Sequence, residues 1–82
     1  MATTADIPAL MTHVAKALVD APDEVRCEAF DEDGQIVLEL EVAENEVGKI
    51  IGRQGRMARS LRTIMGAAAL KTRKRYQLEI VE

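Results

Sequence analysis

Two glycines bracket an arginine and a glutamine at Gly52-Arg53-Gln54-Gly55, and this tetrapeptide falls where two helical patterns meet. Glycine has no Cβ to hold other groups at a distance, so another backbone can approach such a joint closely. The second glycine opens a helical pattern, whose unpaired N–H groups and positive dipole end favour an anion. Arg53 adds a forked phosphate donor and Gln54 a neutral one. These are the parts of a clamp for a phosphodiester. A Gly-x-x-Gly by itself also serves simply to end one helix and begin the next, so its flanks must decide between the two uses.

Upstream, residues 47–51 read as a short apolar helix; downstream a longer one begins at once. With Arg56 at 0° and each residue adding about 100°, Met57, Leu61, Ile64, Met65 and Ala68 share an arc of roughly 80–180°. Arg56, Arg59 and Arg62 fall at roughly 0°, 300° and 240°. One side is therefore expected to be buried, and the other carries three guanidinium groups with no acidic residue at i±4. A charged helix face is ordinarily just solvated. This one is wholly cationic and starts at the glycine loop.

The chain of 82 residues suits one domain, residues 1–82. No run approaches the length of a membrane span and no signal peptide is visible. The single cysteine, Cys27, has no intramolecular disulfide partner, and these features together favour a reducing cytoplasm. The net charge of −3 conceals a division. Residues 1–46 hold twelve acidic side chains against two basic ones, a balance of −10. Residues 47–82 hold nine basic ones against Glu79 and Glu82, a balance of +7. A polyanion needs a local patch, not a basic average, so the overall sign excludes nothing.

In chain order, residues 1–5 read as frayed and Asp6 as an N-cap, after which Ile7, Leu10, Met11, Val14 and Leu18 recur at helical spacing. A strand over residues 25–30 is expected to place Val25, Cys27 and Ala29 on one face and Arg26, Glu28 and Phe30 on the other. Residues 31–34, Asp-Glu-Asp-Gly, signal a hairpin turn. Ile36, Leu38, Leu40 and Val42 give the second strand its buried face, and Asn45 or Glu44 starts the next helix. Tyr76, Leu78 and Ile80 alternate on a third strand. Between, Lys71, Arg73, Lys74 and Arg75 suit either a second contact to phosphates or the favourable placing of cations at a helix C-terminus. The order is helix, strand, strand, helix, helix, strand: an α+β, two-layer domain whose three-stranded sheet is covered by helices on one face.

The stretch GKIIGRQGRMARSLRTI, residues 48–64, resembles the signature of KH domains, and the order α-β-β-α-α-β resembles their type II arrangement. The resemblance spans nearly the whole chain and is to the small bacterial single-KH proteins of the KhpA type. It implies a cytoplasmic RNA-binding protein that associates with itself or with a second, larger KH protein. It also implies that Gly52, Arg53, Gln54 and Gly55 contact the sugar-phosphate backbone of about four nucleotides. Lys49, Arg56 and Arg59 would extend the cationic rim, and Ile51 and Met57 the apolar groove for bases. Ile50 and Ile51 suit the core as well as the groove.

Single-stranded RNA is thus the expected ligand, with single-stranded DNA offering a similar backbone. An interaction or dimerisation scaffold with secondary nucleic-acid binding is the alternative. An enzyme is not expected. Cys27 and His13 lie on different elements, and no paired carboxylates or metal-ligand spacing occur. No cofactor, metal or membrane partner is expected. Cys27 reads as a small core filler, and His13 as a surface residue.

Overall fold

The computed structural model describes residues 6–82; the expectation of fraying over residues 1–5 lies outside the described residues. Helix α1 spans Ile7–Leu18, strands β1 and β2 span Arg26–Glu32 and Gln35–Glu41, helices α2 and α3 span Val47–Ile51 and Arg56–Ala69, and strand β3 spans Arg75–Ile80. Single 3₁₀ turns precede β1, α2 and α3. The α+β order is the one read from the sequence.

Asp6 caps α1, its carboxylate accepting a hydrogen bond from the Ala9 N–H at 3.2 Å. The stripe of Ile7, Met11 and Ala15, one every four residues, is fully buried. The hairpin turns on Asp33 and Gly34 alone, with φ of 53° and 82°, and Glu32 pairs with Gln35 across it. Two successive positive φ values make the two-residue connection whose twist suits a hairpin. The third strand enters beside β2 and parallel to it, giving the order β1-β2-β3 with β1–β2 antiparallel. The α2–α3 unit is the crossover that a parallel pair requires.

Leu38 and Leu40 of β2 meet Ile7 and Met11 of α1, Ile50 of α2, Leu61 and Met65 of α3, and Leu78 of β3 in one core. Each such side chain, fully removed from water, stabilises by about 1.5–3 kcal/mol. The core holds the end of α2 and the start of α3 in fixed relation.

Three placements differ from the sequence reading. Ala29 is exposed, on a strand at the edge of the sheet. Val37, on the sheet face away from the helices, is buried; its cross-strand neighbours are Phe30 and Gln77, and Gln77 is tied to Gln35 by a side-chain hydrogen bond. The buried arc of α3 is Ala58, Leu61, Met65 and Ala69, at roughly 140–220°, so Ile64 at roughly 80° is left 42% exposed. A helix packed against a sheet edge and a short neighbouring helix buries the sector those neighbours cover, and small Ala58 and Ala69 allow close approach.

Candidate nucleic-acid interface

The loop owes its shape to its two glycines in different ways. Gly52 ends α2 at φ 76°, ψ 172°, a region essentially confined to glycine. A Cβ at Gly52 would lie 2.6 Å from the Met57 Cβ and 2.8 Å from the Met57 N, so sterics and backbone both demand glycine. Gly55, at φ 75°, ψ 12°, is left-handed but has open space where a Cβ would sit. Gln54 between them is left-handed too, at φ 58°. Three positive φ values within four residues throw the loop outward. Arg53 and Gln54 are exposed at its tip.

Some loop amides are already engaged. The Gly52 N–H donates to the Gly48 carbonyl at 2.8 Å and that of Gly55 to the Gly52 carbonyl at 3.1 Å, while the Arg56 N–H donates to the Arg53 carbonyl. Arg53 and Gln54 stand between the bonded Gly52 and Gly55, at the exposed turn of the loop. The 3₁₀ turn over Arg53–Gly55 thus engages the Gly55 and Arg56 N–H groups at the start of α3.

Arg56 and Arg59 are exposed on α3, and the Arg59 guanidinium reaches back 3.5 Å to the Gln54 carbonyl. A cleft opens between α3 and the edge strand β3, lined by Ile51, Gly55, Ala58, Arg59, Arg62, Ile80 and Glu82. Arg62 crosses it, donating to the Leu78 carbonyl at 3.3 Å. The cleft joins apolar Ile51, Ala58 and Ile80 to two cations, Arg59 and Arg62, with one carboxylate at Glu82. Ile51 is half-buried at its edge, whereas Ile50 is wholly core. Met57 does not line it; its Cβ and amide sit under Gly52 and its side chain packs on the core. Arg62, named in the sequence only as part of the cationic helix face, and Ala58 and Ile80 are thus cleft residues outside the expected contact set.

Lys49 sits differently from the arginines. Its ammonium pairs with Asp20 at 2.5 Å and Glu46 at 3.2 Å. Glu46 is buried at 3% exposure and accepts hydrogen bonds from the Asp20 and Ala21 N–H groups, fastening the end of α1 to the start of α2. The Asp20 N–H bond is the chief cause holding the Glu46 carboxyl below its ordinary pKa; burial opposes it, and the Ala21 N–H and Lys49 reinforce it. The same bonds, to Asp20 first and Glu46 second, raise the Lys49 pKa. Lys49 is consequently committed to the frame that carries the loop. Among the described residues no arginine is in an ion pair.

Cys27 is half-buried against the core, and its thiol pKa is pushed up by desolvation, which a hydrogen bond with Thr12 partly offsets. His13 is exposed. Among the described residues no cluster of side chains suits a metal ion, and no helix is long and apolar enough to cross a membrane.

Comparison with known proteins agrees with this geometry. The chain matches the family model described as KhpA/KhpB, KH domain, over residues 9–80. It is 48% identical over 73 residues to the RNA-binding protein KhpA of Borreliella burgdorferi, covering 89% of each chain. It is 47% identical over 72 residues to that of Clostridium acetobutylicum, covering 88% of this chain and 96% of the relative. To the Aquifex aeolicus protein of the same name it is 50% identical over 68 residues, covering 83% of this chain and 86% of the relative. No solved structure matches. With the glycine loop, the α-β-β-α-α-β order and these relatives in agreement, the chain belongs to the KhpA/KhpB family of KH-domain proteins.

Proposed function

We propose that this protein is a non-catalytic binder of single-stranded RNA that holds the sugar-phosphate backbone at Gly52, Arg53, Gln54 and Gly55. The observation that carries the reading is the exposed loop, shaped by three positive φ values, beside a cleft that Ile51, Ala58, Arg59, Arg62 and Ile80 line. The relatives named RNA-binding proteins support the choice of ligand. Phosphates sit on the Arg53 and Gln54 amides, with Arg56 and Arg59 as the rim. The following bases lie on Ile51, Ala58 and Ile80. The ligand is unpaired because the cleft is a narrow seam between one helix and one strand, and a duplex would present its phosphates and shield its bases.

A module contacting few phosphates binds weakly, with log K falling by about 0.7 per phosphate for each log unit of salt. Pairing two modules raises the effective concentration of the second. The protein accordingly acts as a dimer or with a second KH-domain protein, for which the exposed Ile64 on the outer side of α3 offers an apolar contact. The deciding experiment replaces Arg53 and Gln54 by Asp. Affinity for an unstructured RNA is expected to fall tenfold to a hundredfold, the worth of one or two charged hydrogen bonds, with circular dichroism and sedimentation unchanged. Unaltered affinity would remove the loop from the interface.

A further inference from the structure

The cations at residues 71–75 are not absorbed by the loop and its cleft. They lie at the opposite end of α3, about 22 Å from Gly55 at 1.5 Å per residue. Their sequence context offered two uses, a contact to phosphates or a favourable placing at the helix end. The C-terminus of α3 is closed by other groups: Leu70 N–H to the Gly66 carbonyl, Lys71 N–H to Ala68, and both the N–H and hydroxyl of Thr72 to Ala69. Among the described residues, none of the Lys71, Arg73, Lys74 or Arg75 side chains takes part in that closure or in an ion pair. All four are exposed.

The turn that carries them is well defined. Thr72 Oγ1 also accepts the Lys74 N–H at 3.2 Å, and Arg73 is held left-handed at φ 62°, which few non-glycine residues adopt. A second cleft opens here, lined by Gly66, Ala69, Leu70, Arg73, Lys74 and Tyr76. On α3 these residues occupy roughly 220–320°, the sector that also holds Arg59 and Arg62 in the first cleft. The two clefts lie along one seam between α3 and β3, and the Arg62 side chain spans it between them by its bond to the Leu78 carbonyl. Gly66 lines the second cleft, with nothing within 4 Å of where a Cβ would sit. At its far end Leu70 is 81% exposed, an apolar side chain standing among cations.

We infer that the turn over residues 70–74, with Arg75, is a second polynucleotide contact, where Lys71, Arg73, Lys74 and Arg75 hold phosphates of the strand leaving the loop and Leu70 supports a base or sugar. The inference rests on the proposed loop-binding reading, from which the strand is taken to run along the seam. The span equals about six steps of a stacked strand at 3.4 Å, so the full footprint exceeds the four nucleotides that a glycine loop clamps. A continuing single strand is favoured over a lipid surface because the cations adjoin a narrow seam leading to the loop and Leu70 is a lone apolar group there.

The test compares unstructured labelled RNAs of about five and about fifteen nucleotides, by anisotropy across a salt series. Replacing Lys71, Arg73, Lys74 and Arg75 by Gln is expected to weaken binding of the longer RNA about tenfold and to flatten its salt slope by about 2, three phosphates at 0.7 each. The shorter RNA should bind as before. Lys71→Gln with Lys74→Gln, which spares the left-handed Arg73, should give about half the change in slope if the four-residue variant fails to fold. Wild-type affinity and slope for the longer RNA in that pair would overturn the second contact, as would equal weakening for both lengths. Turn-dependent binding to phosphatidylserine vesicles without a turn-dependent effect on the longer RNA would overturn it in favour of a lipid surface. The Asp loop variant should lose both RNAs; if it keeps both, the loop reading fails independently of the turn.

Discussion

The two sides of the sheet differ in their predominant charge. Along α3 run exposed arginines without acidic partners among the described residues. On the open side, Glu28, Glu39 and Glu79 stand in one register row across all three strands. Like charges directly opposite each other on a sheet are destabilising, and the arginine series on one helix gains nothing from its own neighbours either. Neither side is arranged for maximal stability. A sheet and a helix layer are about 10 Å apart, and charges farther apart than the Debye length of about 8 Å are largely screened at physiological salt. The two fields therefore act separately on whatever approaches. A net charge of −3 says little about binding; the placing of each sign decides which face a polyanion meets.

The sharpest break of this contrast is at Gly52. Gly52→Ala must relieve a 2.6 Å approach to Met57 and a backbone region closed to alanine. It should cost about 2–4 kcal/mol of stability, read as a shifted urea midpoint, and abolish RNA binding. Gly55→Ala meets no atom and should cost only about 1–2 kcal/mol, the left-handed penalty, with Gly55→Asn recovering part of it. Equal losses at both positions would show that the loop's shape is not set by the Met57 contact.

A second pair sets the faces against each other directly. Arg59→Glu should weaken RNA binding tenfold or more, because it reverses a charge beside the loop. Lys49→Met should change affinity less than threefold and leave the salt slope intact, since its ammonium is already neutralised by Asp20 and Glu46. Conversely, Glu28, Glu39 and Glu79 all replaced by Lys should add salt-sensitive binding to duplex RNA, a ligand with phosphates but no accessible bases. If that variant gains nothing, the acidic row does not shape where polyanions land.

Glu46 joins the frame to the loop through protonation. Its carboxyl is held below the ordinary value of about 4.3, so its contribution is complete above that pH and is lost as pH falls through the lower, folded value. Glu46→Gln should therefore lower the melting temperature by several degrees at pH 7, with the gap to wild type narrowing below about pH 4. Lys49 runs oppositely: its raised pKa gives a contribution complete below about 10.4 and lost as pH rises through the folded value. A gap that is constant from pH 7 to pH 3 would mean that the Glu46 charge does not clamp α1 to α2.

Local signals carried most of this fold. Asp6 as cap, Asp33-Gly34 as turn and the alternation of Ile36, Leu38 and Leu40 each declare an element through neighbours in sequence. The glycine loop was legible for the same reason. Long-range pairings were not. Glu46 looks like one more acidic residue in an acidic half until Asp20 and Ala21, 26 and 25 positions away, aim their amides at it. Arg62 reads only as one of three guanidinium groups on a helix face until its bond to the Leu78 carbonyl ties it to β3. Met57 lay on the expected apolar arc, but Gly52 draws it under the loop and out of the cleft. Lys49 shows the same limit: a cation near a glycine loop invites a phosphate, and only the fold reveals two carboxylates already there.

The smallest expected effect tests the idea that the open face gives up stability. Glu39 sits in the middle strand between Glu28 and Glu79 and is the more enclosed member of the row. Removing its charge relieves two cross-strand repulsions at once while keeping shape and hydrogen-bonding capacity, so Glu39→Gln should stabilise the domain by roughly 0.2–1 kcal/mol. Glu79→Gln, at an edge strand with one such neighbour, should gain about half as much. Both gains should shrink as salt is raised, because screening already weakens the repulsion. RNA affinity through the loop should stay unchanged in both variants, since these carboxylates lie across the sheet from α3. A destabilised Glu39→Gln protein would mean that Glu39 is favourably engaged in place, and the open face would then be ordinary solvated surface and not the costly counterpart of the arginine seam.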